Sequence, residues 1–450
     1  MTYDIVIGRK KSDIEKYGKK GTIFFARQFV QMGQITSLAN NLYFDVSKSH
    51  VVFVCGKRGG GKSYTMGVIA EGIANLEPEI AKNLSAIFLD TMGIYWTMKY
   101  PNHKDDTLLK EWGLEGKSLN VQIFTPVGYF KEYKERGIPT DYPYSIKPNE
   151  LSAQDWMMSF RLDATNPVSV LIEAAIEEIK KNKKEYDIED ILKQLKSDQN
   201  SEPHFIQAAV NHFKSAISWG VFSKDGTPFK DLVMGGKITV IDVSCYATIP
   251  NGWEIKSLVI GLIAQKLFID RMVSRKNEEF RAIQSAEHYF RQVETYEQKP
   301  LVWLIIDEAH EFLPNLGKTS ATDSLVTILR EGRQPGISLI LATQQPGKIH
   351  TDVMTQSDII ISHRITARID IDALSMLTQS YMREDLGKQF AALPRLVGSA
   401  VILDDQNERI YQVKIRPRFT WHGGEAPSAL IDITPGNIDL KNKENLENIF

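Results

Sequence analysis

Residues Gly56-Lys57-Arg58-Gly59-Gly60-Gly61-Lys62-Ser63 spell the pattern GxxxxGK[ST]. Ahead of them, Val51-Val52-Phe53-Val54-Cys55 is an apolar, β-branched run that predicts a buried strand. Behind them, Tyr64–Ala74 has helical spacing. A strand, a glycine-rich turn and a helix in that order leave few folds open, because the turn must present backbone N–H groups at a helix N-terminus. Those N–H groups surround phosphate oxygens, and the helix dipole adds partial positive charge. The spacing predicts a nucleotide site formed by Gly56, Lys57, Arg58, Gly59, Gly60, Gly61, Lys62 and Ser63, with Tyr64 beside them. Lys62 would reach the β- and γ-phosphates of ATP, and the Ser63 hydroxyl would ligate Mg²⁺.

Leu301-Val302-Trp303-Leu304-Ile305-Ile306 is a second apolar run, and it ends in Asp307-Glu308. Such a run suits a parallel strand buried on both faces. Asp307 at its end would hold Mg²⁺ through water, and Glu308 would act as general base on the attacking water. Leu84–Asp90 is a further strand ending in a carboxylate. It places Asp90 at the carboxyl edge of a parallel sheet, where ligands bind in such folds, so Asp90 joins the candidate nucleotide-binding residues. His310 reads as a polar residue at the start of a helix near the site.

The composition sets limits. At 450 residues, with 42% hydrophobic and 24% charged residues, the chain reads as an ordinary globular protein of one large domain with an appendage, or of two to three domains. No apolar run reaches the eighteen or so residues that span a bilayer. The first residues lack the basic and apolar regions of a signal peptide, so the expectation is a cytoplasmic protein with no membrane partner. The two cysteines, Cys55 and Cys245, lie in or beside strand-like runs, and no Cys/His cluster suggests zinc. A net charge of −2 is low for a free-standing DNA-binding domain. Basic residues concentrated in a central channel would still permit nucleic-acid binding.

Along the chain, residues 1–48 offer three short β candidates, Asp4–Arg9, Gly21–Gln28 and Leu42–Val46, as a small N-terminal β region. The core starts at residues 49–148, with a polar loop over 97–117 and a strand at Asn120–Pro126. Residues 149–222 turn helical, with Ser152 as an N-cap, and read as an inserted subdomain. The charged run Lys180–Glu189 reads as a solvated face or connection. The core resumes over 223–424, with strands at Lys237–Val243, Ser338–Gln344, Asp358–Ser362 and Gly398–Leu403, and helices over Ile255–Val273 and Ser324–Glu331. Residues 425–450 lose periodicity and read as a tail that packs on a neighbouring subunit or is disordered. The sum is an α/β fold: a RecA-like P-loop NTPase core with a mainly parallel sheet, a small N-terminal β appendage and a helical insertion.

Several segments in this order resemble the HerA–FtsK superfamily of ring-shaped DNA-translocating ATPases, and its HerA branch in particular. They are Gly56–Ser63, Asp90-Thr91-Met92-Gly93-Ile94-Tyr95, Asp307-Glu308-Ala309-His310, Arg330-Glu331-Gly332-Arg333-Gln334-Pro335-Gly336, Ala342-Thr343-Gln344-Gln345-Pro346 and Ile415-Arg416-Pro417-Arg418-Phe419-Thr420. The resemblance covers roughly residues 50–424. Thr91-Met92 and Ile94 depart from the family's Asp-Pro-His-Gly-Glu-Tyr element, and residues 1–48 are short for the family's opening β-barrel, which predicts a reduced one.

The resemblance implies a homohexamer with ATP between subunits. Glu308 and the P-loop would come from one subunit and an arginine finger from the next. Family position favours Arg333, with Arg330 and Arg364 as alternatives, and gives Gln344 the task of positioning water and sensing the γ-phosphate. It also implies double-stranded DNA as partner, together with a separate nuclease of the NurA kind or a defence effector. The loops Lys99–Lys104 and Lys348–His350 are the first candidates for DNA contact. A ring that scaffolds or regulates an effector with little translocation is the alternative, and a secretion or conjugation ATPase of the same superfamily is a third.

Overall fold

The computed structural model describes residues 3–32, 35–287, 299–365, 367–377 and 383–424. Thirteen strands occur in chain order: β1 (Ile5–Ile7), β2 (Thr22–Met32), β3 (Ile35–Asp45), β4 (Val51–Cys55), β5 (Leu84–Asp90), β6 (Val121–Pro126), β7 (Tyr142–Tyr144), β8 (Ile238–Asp242), β9 (Leu301–Ile306), β10 (Ile337–Thr343), β11 (Ile359–His363), β12 (Ser399–Asp404) and β13 (Arg409–Ile415). They form one sheet in the order β1-β3-β2-β13-β12-β11-β4-β10-β9-β5-β8-β6-β7. From β11 to β7 every pairing is parallel. From β11 back to β3, through β12, β13 and β2, the pairings are antiparallel.

The central strands are apolar on both faces because both faces are covered. Phe53, Cys55, Leu304, Ile306, Leu339 and Leu341 face the core that carries the helical insertion. Val52, Val54, Ile305, Ile340 and Ala342 face the opposite core, which contains Met66, Ile69 and Ile73 of the P-loop helix. That alternation is the period-two pleat read against two packed layers.

The N-terminal strands extend this sheet. β2 pairs with β13, Val413 opposite Gln28, so the first residues and the end of the core are stitched together. β2 and β3 run longer than the segments expected from sequence, and a helix, α1 (Lys11–Tyr17), lies where no element was expected. The expected loop over 97–117 contains a helix at Asp106–Glu111. The tail 425–450 lies outside the described residues.

Helices occupy most of 149–222. Ser152 caps the helix Ala153–Ser159 through a reciprocal box with Asp155. Asp187, inside the charged run 180–189, caps Ile188–Ser197 in the same way. That run is the junction between two helices. The helix Gly252–Glu287 absorbs Ile255–Val273 and much of the polar stretch after it. At ~1.5 Å per residue it is roughly 54 Å long.

The P-loop helix, α2 (Lys62–Ala74), is fixed by a buried ionic cluster. Glu71, fully buried, accepts from Arg416 Nη1 at 2.9 Å and Arg418 Nε at 3.1 Å. It also accepts from the backbone N–H groups of Phe419 and Thr420 and from the Thr420 hydroxyl. Gly67 lies one turn before Glu71 against the Arg418 guanidinium, where a Cβ would come within 2.6 Å of its carbon. Burial pulls the Arg416 pKa down, and Glu71 opposes that pull. Removing one partner of a buried charge cluster typically costs about 3–5 kcal/mol. Glu71→Ala should lower the unfolding free energy by an amount in that range, measured by denaturant titration followed by circular dichroism, and an unchanged value would contradict the role assigned to the cluster.

Candidate active site

The P-loop leaves β4 at the carboxyl edge of the sheet and enters α2 without a side-chain cap. Gly59 and Gly61 have φ of 72° and 105°, conformations that exclude most side chains. The N–H of Gly60 donates to Lys57 O at 2.9 Å, closing the turn. Lys57 and Arg58 are exposed at its tip. Lys62 is buried, and its ammonium donates to Lys57 O at 3.1 Å. Burial lowers its pKa, while Asp307 and Glu308 act in the opposite direction.

β9 brings the second half of the site alongside. The Ser63 hydroxyl donates to Asp307 Oδ2 at 2.8 Å. Burial, and then the Glu308 charge, raise the Asp307 pKa. Glu308 has φ of 50°, a left-handed conformation uncommon for a residue with a side chain. Gln344, just past β10, donates its amide to Glu308 Oε1. Glu308 Oε2 is buried and has no hydrogen-bond partner among the described residues. Mg²⁺ usually takes one or two protein oxygens plus substrate phosphates and water. The converging Ser63 hydroxyl and Asp307 carboxylate fit that need, and no cluster of three or more His, Cys, Asp or Glu residues suited to a metal exists among the described residues.

Two histidines complete the site. His310, buried in a short 3₁₀ turn, shares a hydrogen bond with Thr343 Oγ1 at 3.0 Å and lies 3.6 Å from Glu308 Oε2. His363, at the end of β11, escaped the sequence analysis. It packs behind the P-loop, where a Cβ on Gly56 would come within 2.7 Å of its own Cβ. Its Nε2 is 2.8 Å from Thr65 Oγ1 and its Nδ1 is 3.2 Å from Ser399 O. Burial lowers its pKa to about 4, so the ring is neutral near pH 7.

Two expected nucleotide contacts have other duties. Asp90 accepts four backbone N–H groups, those of Met92, Gly93, Ile94 and Tyr95. Both oxygens are committed to its own loop, so it shapes that turn; burial, then nearby Asp242, raise its pKa. Lys256, also missed from sequence, supports the same loop through Thr91 O at 3.0 Å. The Tyr64 hydroxyl accepts from Arg418 N at 2.6 Å and its ring packs edge-on against His422, so it faces residues 418–422.

The three arginines separate. Arg330 is paired with Asp352 at 2.6 Å. Arg364 is exposed beside its own P-loop, directly after His363. Arg333 is exposed before β10, at the opposite edge of the sheet. Of the candidate DNA loops, Lys99 is bound to Asp141 at 2.6 Å, and His350 caps the helix Thr351–Gln356, while Lys348 is exposed.

A parallel sheet carrying this loop between β4 and α2 defines a P-loop protein with a RecA-like core. VirB4 of Thermoanaerobacter pseudethanolicus has a similar fold, with a TM-score of 0.51 and 12% identity over 88% of this chain and 96% of that one. The family described as "Helicase HerA, central domain" matches residues 30–263, more than half of the chain, and the protein belongs to that family. The probable DNA double-strand break repair helicase HerA of Methanocaldococcus jannaschii is 33% identical over 181 residues, 37% of this chain and 33% of the relative. The DNA double-strand break repair helicase HerA of Pyrococcus furiosus is 26% identical over 177 residues, 37% of this chain and 31% of the relative. The matched stretch thus spans about a third of each of these curated relatives. No helix among the described residues is long and apolar enough to cross a membrane.

The neutral His363 gives the fold a pH dependence. Its folded pKa, about 4, lies below the ordinary 6.5, so between those values the unfolded chain binds more protons. Its contribution is fully present above pH 6.5 and is lost as pH falls toward 4. His422 acts in the same direction, also at about 4. His363→Gln should flatten the stability–pH slope in that window by up to about 1.4 kcal/mol per pH unit. Denaturant midpoints measured from pH 7 to 4.5 test this, and an unchanged slope would contradict it.

Proposed function

We propose that the protein hydrolyses ATP and couples hydrolysis to movement of double-stranded DNA. The observation that carries the reading is the chain of contacts from Ser63 through Asp307 to Glu308 and Gln344, which leaves one Glu308 oxygen without a hydrogen-bond partner among the described residues. Lys62 and the loop amides bind the β- and γ-phosphates. Ser63 and Asp307 would hold Mg²⁺, which would neutralise phosphate charge. Glu308, held by Gln344, accepts the proton of the attacking water. Membership of a helicase family and the names of the relatives support DNA as the partner.

The site lacks an arginine at the γ-phosphate from Arg333 of the same chain. Arg333 and Gln344 lie at opposite ends of β10, whose seven residues at ~3.3 Å each span roughly 23 Å. That separation supports a role for Arg333 at a neighbouring copy's nucleotide, and the HerA resemblance supports a homohexameric ring. A separate nuclease or defence effector would act on the DNA the ring handles. Net charge of −2 favours a second reading, an ATP-binding scaffold for an effector.

Lys62→Ala should abolish hydrolysis, and Glu308→Gln should bind ATP without turning it over. Retention of more than about a tenth of wild-type turnover by Glu308→Gln would contradict the base assignment, since a positioned base is worth about 10²–10⁴-fold. Duplex DNA of any sequence should stimulate the ATPase, with binding that weakens steeply between about 50 and 300 mM salt as counterions are released. Absence of both effects would leave the scaffold reading.

A further inference from the structure

At the edge of the sheet opposite the P-loop lies a cavity of about 430 Å³. His50, Leu301, Gly336 and Asp358, which line it, stand at the amino ends of β4, β9, β10 and β11. The five residues of β4 alone, at ~3.3 Å each, put roughly 17 Å between this cavity and the phosphate loop.

Its lining is cationic. Lys10, Lys48, Arg271, Arg275 and Arg333 contribute five positive charges, against three carboxylates. Each carboxylate already has a partner: Asp13 binds Lys48 at 2.5 Å, Asp358 lies 2.6 Å from His50 Nδ1, and Glu278 lies between Arg271 and Arg275 at 3.5 and 3.4 Å. The surplus is two positive charges with the histidine neutral. Arg271 is the informative member. It is 1% exposed, with Nε on Pro335 O at 2.8 Å and Nη1 on Lys299 O at 3.1 Å. Its Nη2 is buried and has no hydrogen-bond partner among the described residues. A guanidinium donor desolvated without an acceptor is costly, and the geometry of the fork suits an oxyanion. Arg271 also grips the turn that presents Arg333, since Pro335 and Gly336 come two and three residues after Arg333 and a Cβ on Gly336 would come within 3.3 Å of Nη2.

We infer that this cavity is a second phosphate-binding site, in which Arg271 Nη2 and Arg333 take the oxygens of one phosphate group. The phosphate has two possible sources: the nucleotide held by a neighbouring copy's P-loop, or a free phosphate or pyrophosphate ion. The first source rests on the in-trans assignment of Arg333; the site itself does not. Arg271 is a positioning residue for Arg333 as well as a donor in its own right.

Two arms test the inference. In the first, pyrophosphate is titrated calorimetrically into full-length Lys62→Ala protein, whose own loop lacks its phosphate cation. Saturable binding is expected, weakened about tenfold or more by adding Arg333→Ala, an exposed residue whose loss leaves the fold intact, and by adding Arg271→Lys, which keeps the charge but loses the fork. No binding, or binding equal in both double variants and in Lys62→Ala, overturns the site. In the second arm, ATPase rates of Arg271→Lys, Arg333→Ala and their mixtures with Lys62→Ala are compared. For a neighbour's nucleotide, both arginine variants are slow alone and regain activity on mixing. Wild-type rates for Arg271→Lys overturn that source and assign the site to a free ion. Failure of Arg333→Ala to be rescued while Arg271-dependent pyrophosphate binding persists overturns the in-trans assignment alone.

Discussion

One buried carboxylate ties the helix of the phosphate loop to residues 416–420. Glu71 lies on the helix that begins at Lys62, and it gathers two guanidinium groups and two backbone amides from residues 416–420. Arg416 reaches further, to Phe24 O in β2 and to Val68 O in α2. The antiparallel half of the sheet, β2 and β13 included, is thereby joined to the helix that begins at the P-loop. Such a cluster contributes little net energy compared with an apolar core, but it is strongly intolerant of partial loss. It therefore fixes orientation, and a loop that binds phosphates through backbone N–H groups depends on orientation.

The parallel half of the sheet does the complementary work. β4, β9, β10 and β11 all end at one edge, so Lys62, Ser63, Asp307, Glu308, Gln344 and His363 converge although they lie as much as 301 residues apart in sequence. The same parallelism sends Arg333 and the basic cavity to the other edge. On the proposed function, a subunit built this way would hold a nucleotide at one edge and offer Arg333 to a neighbour's nucleotide at the other. This division of labour supports a ring in which each edge meets its complement on the next copy.

The legible parts of the fold were local. The strand–loop–helix at 51–74, the apolar run into Asp307-Glu308 and the Ser152 cap each announce themselves within a few residues. What escaped needs distant partners. Nothing near Glu71 in sequence shows that Arg416 and Arg418 will neutralise it, and nothing near Arg330 shows that Asp352 will claim it. Asp90 has the right address for a ligand, but the amide groups of residues 92–95 turn back onto it. His363 is a lone histidine after an apolar run, and its role exists only because β11 lies beside β4. The helix α1 is short and buries none of its residues, so it carries no apolar stripe to find.

The central claim is that hydrolysis at Glu308 moves the protein along duplex DNA. Displacement of a fluorescent third strand from a DNA triplex measures that movement without requiring strand separation. The account predicts ATP-dependent displacement by the wild-type protein and none by Glu308→Gln. Sustained ATP turnover on the same DNA with no displacement of the third strand would contradict it.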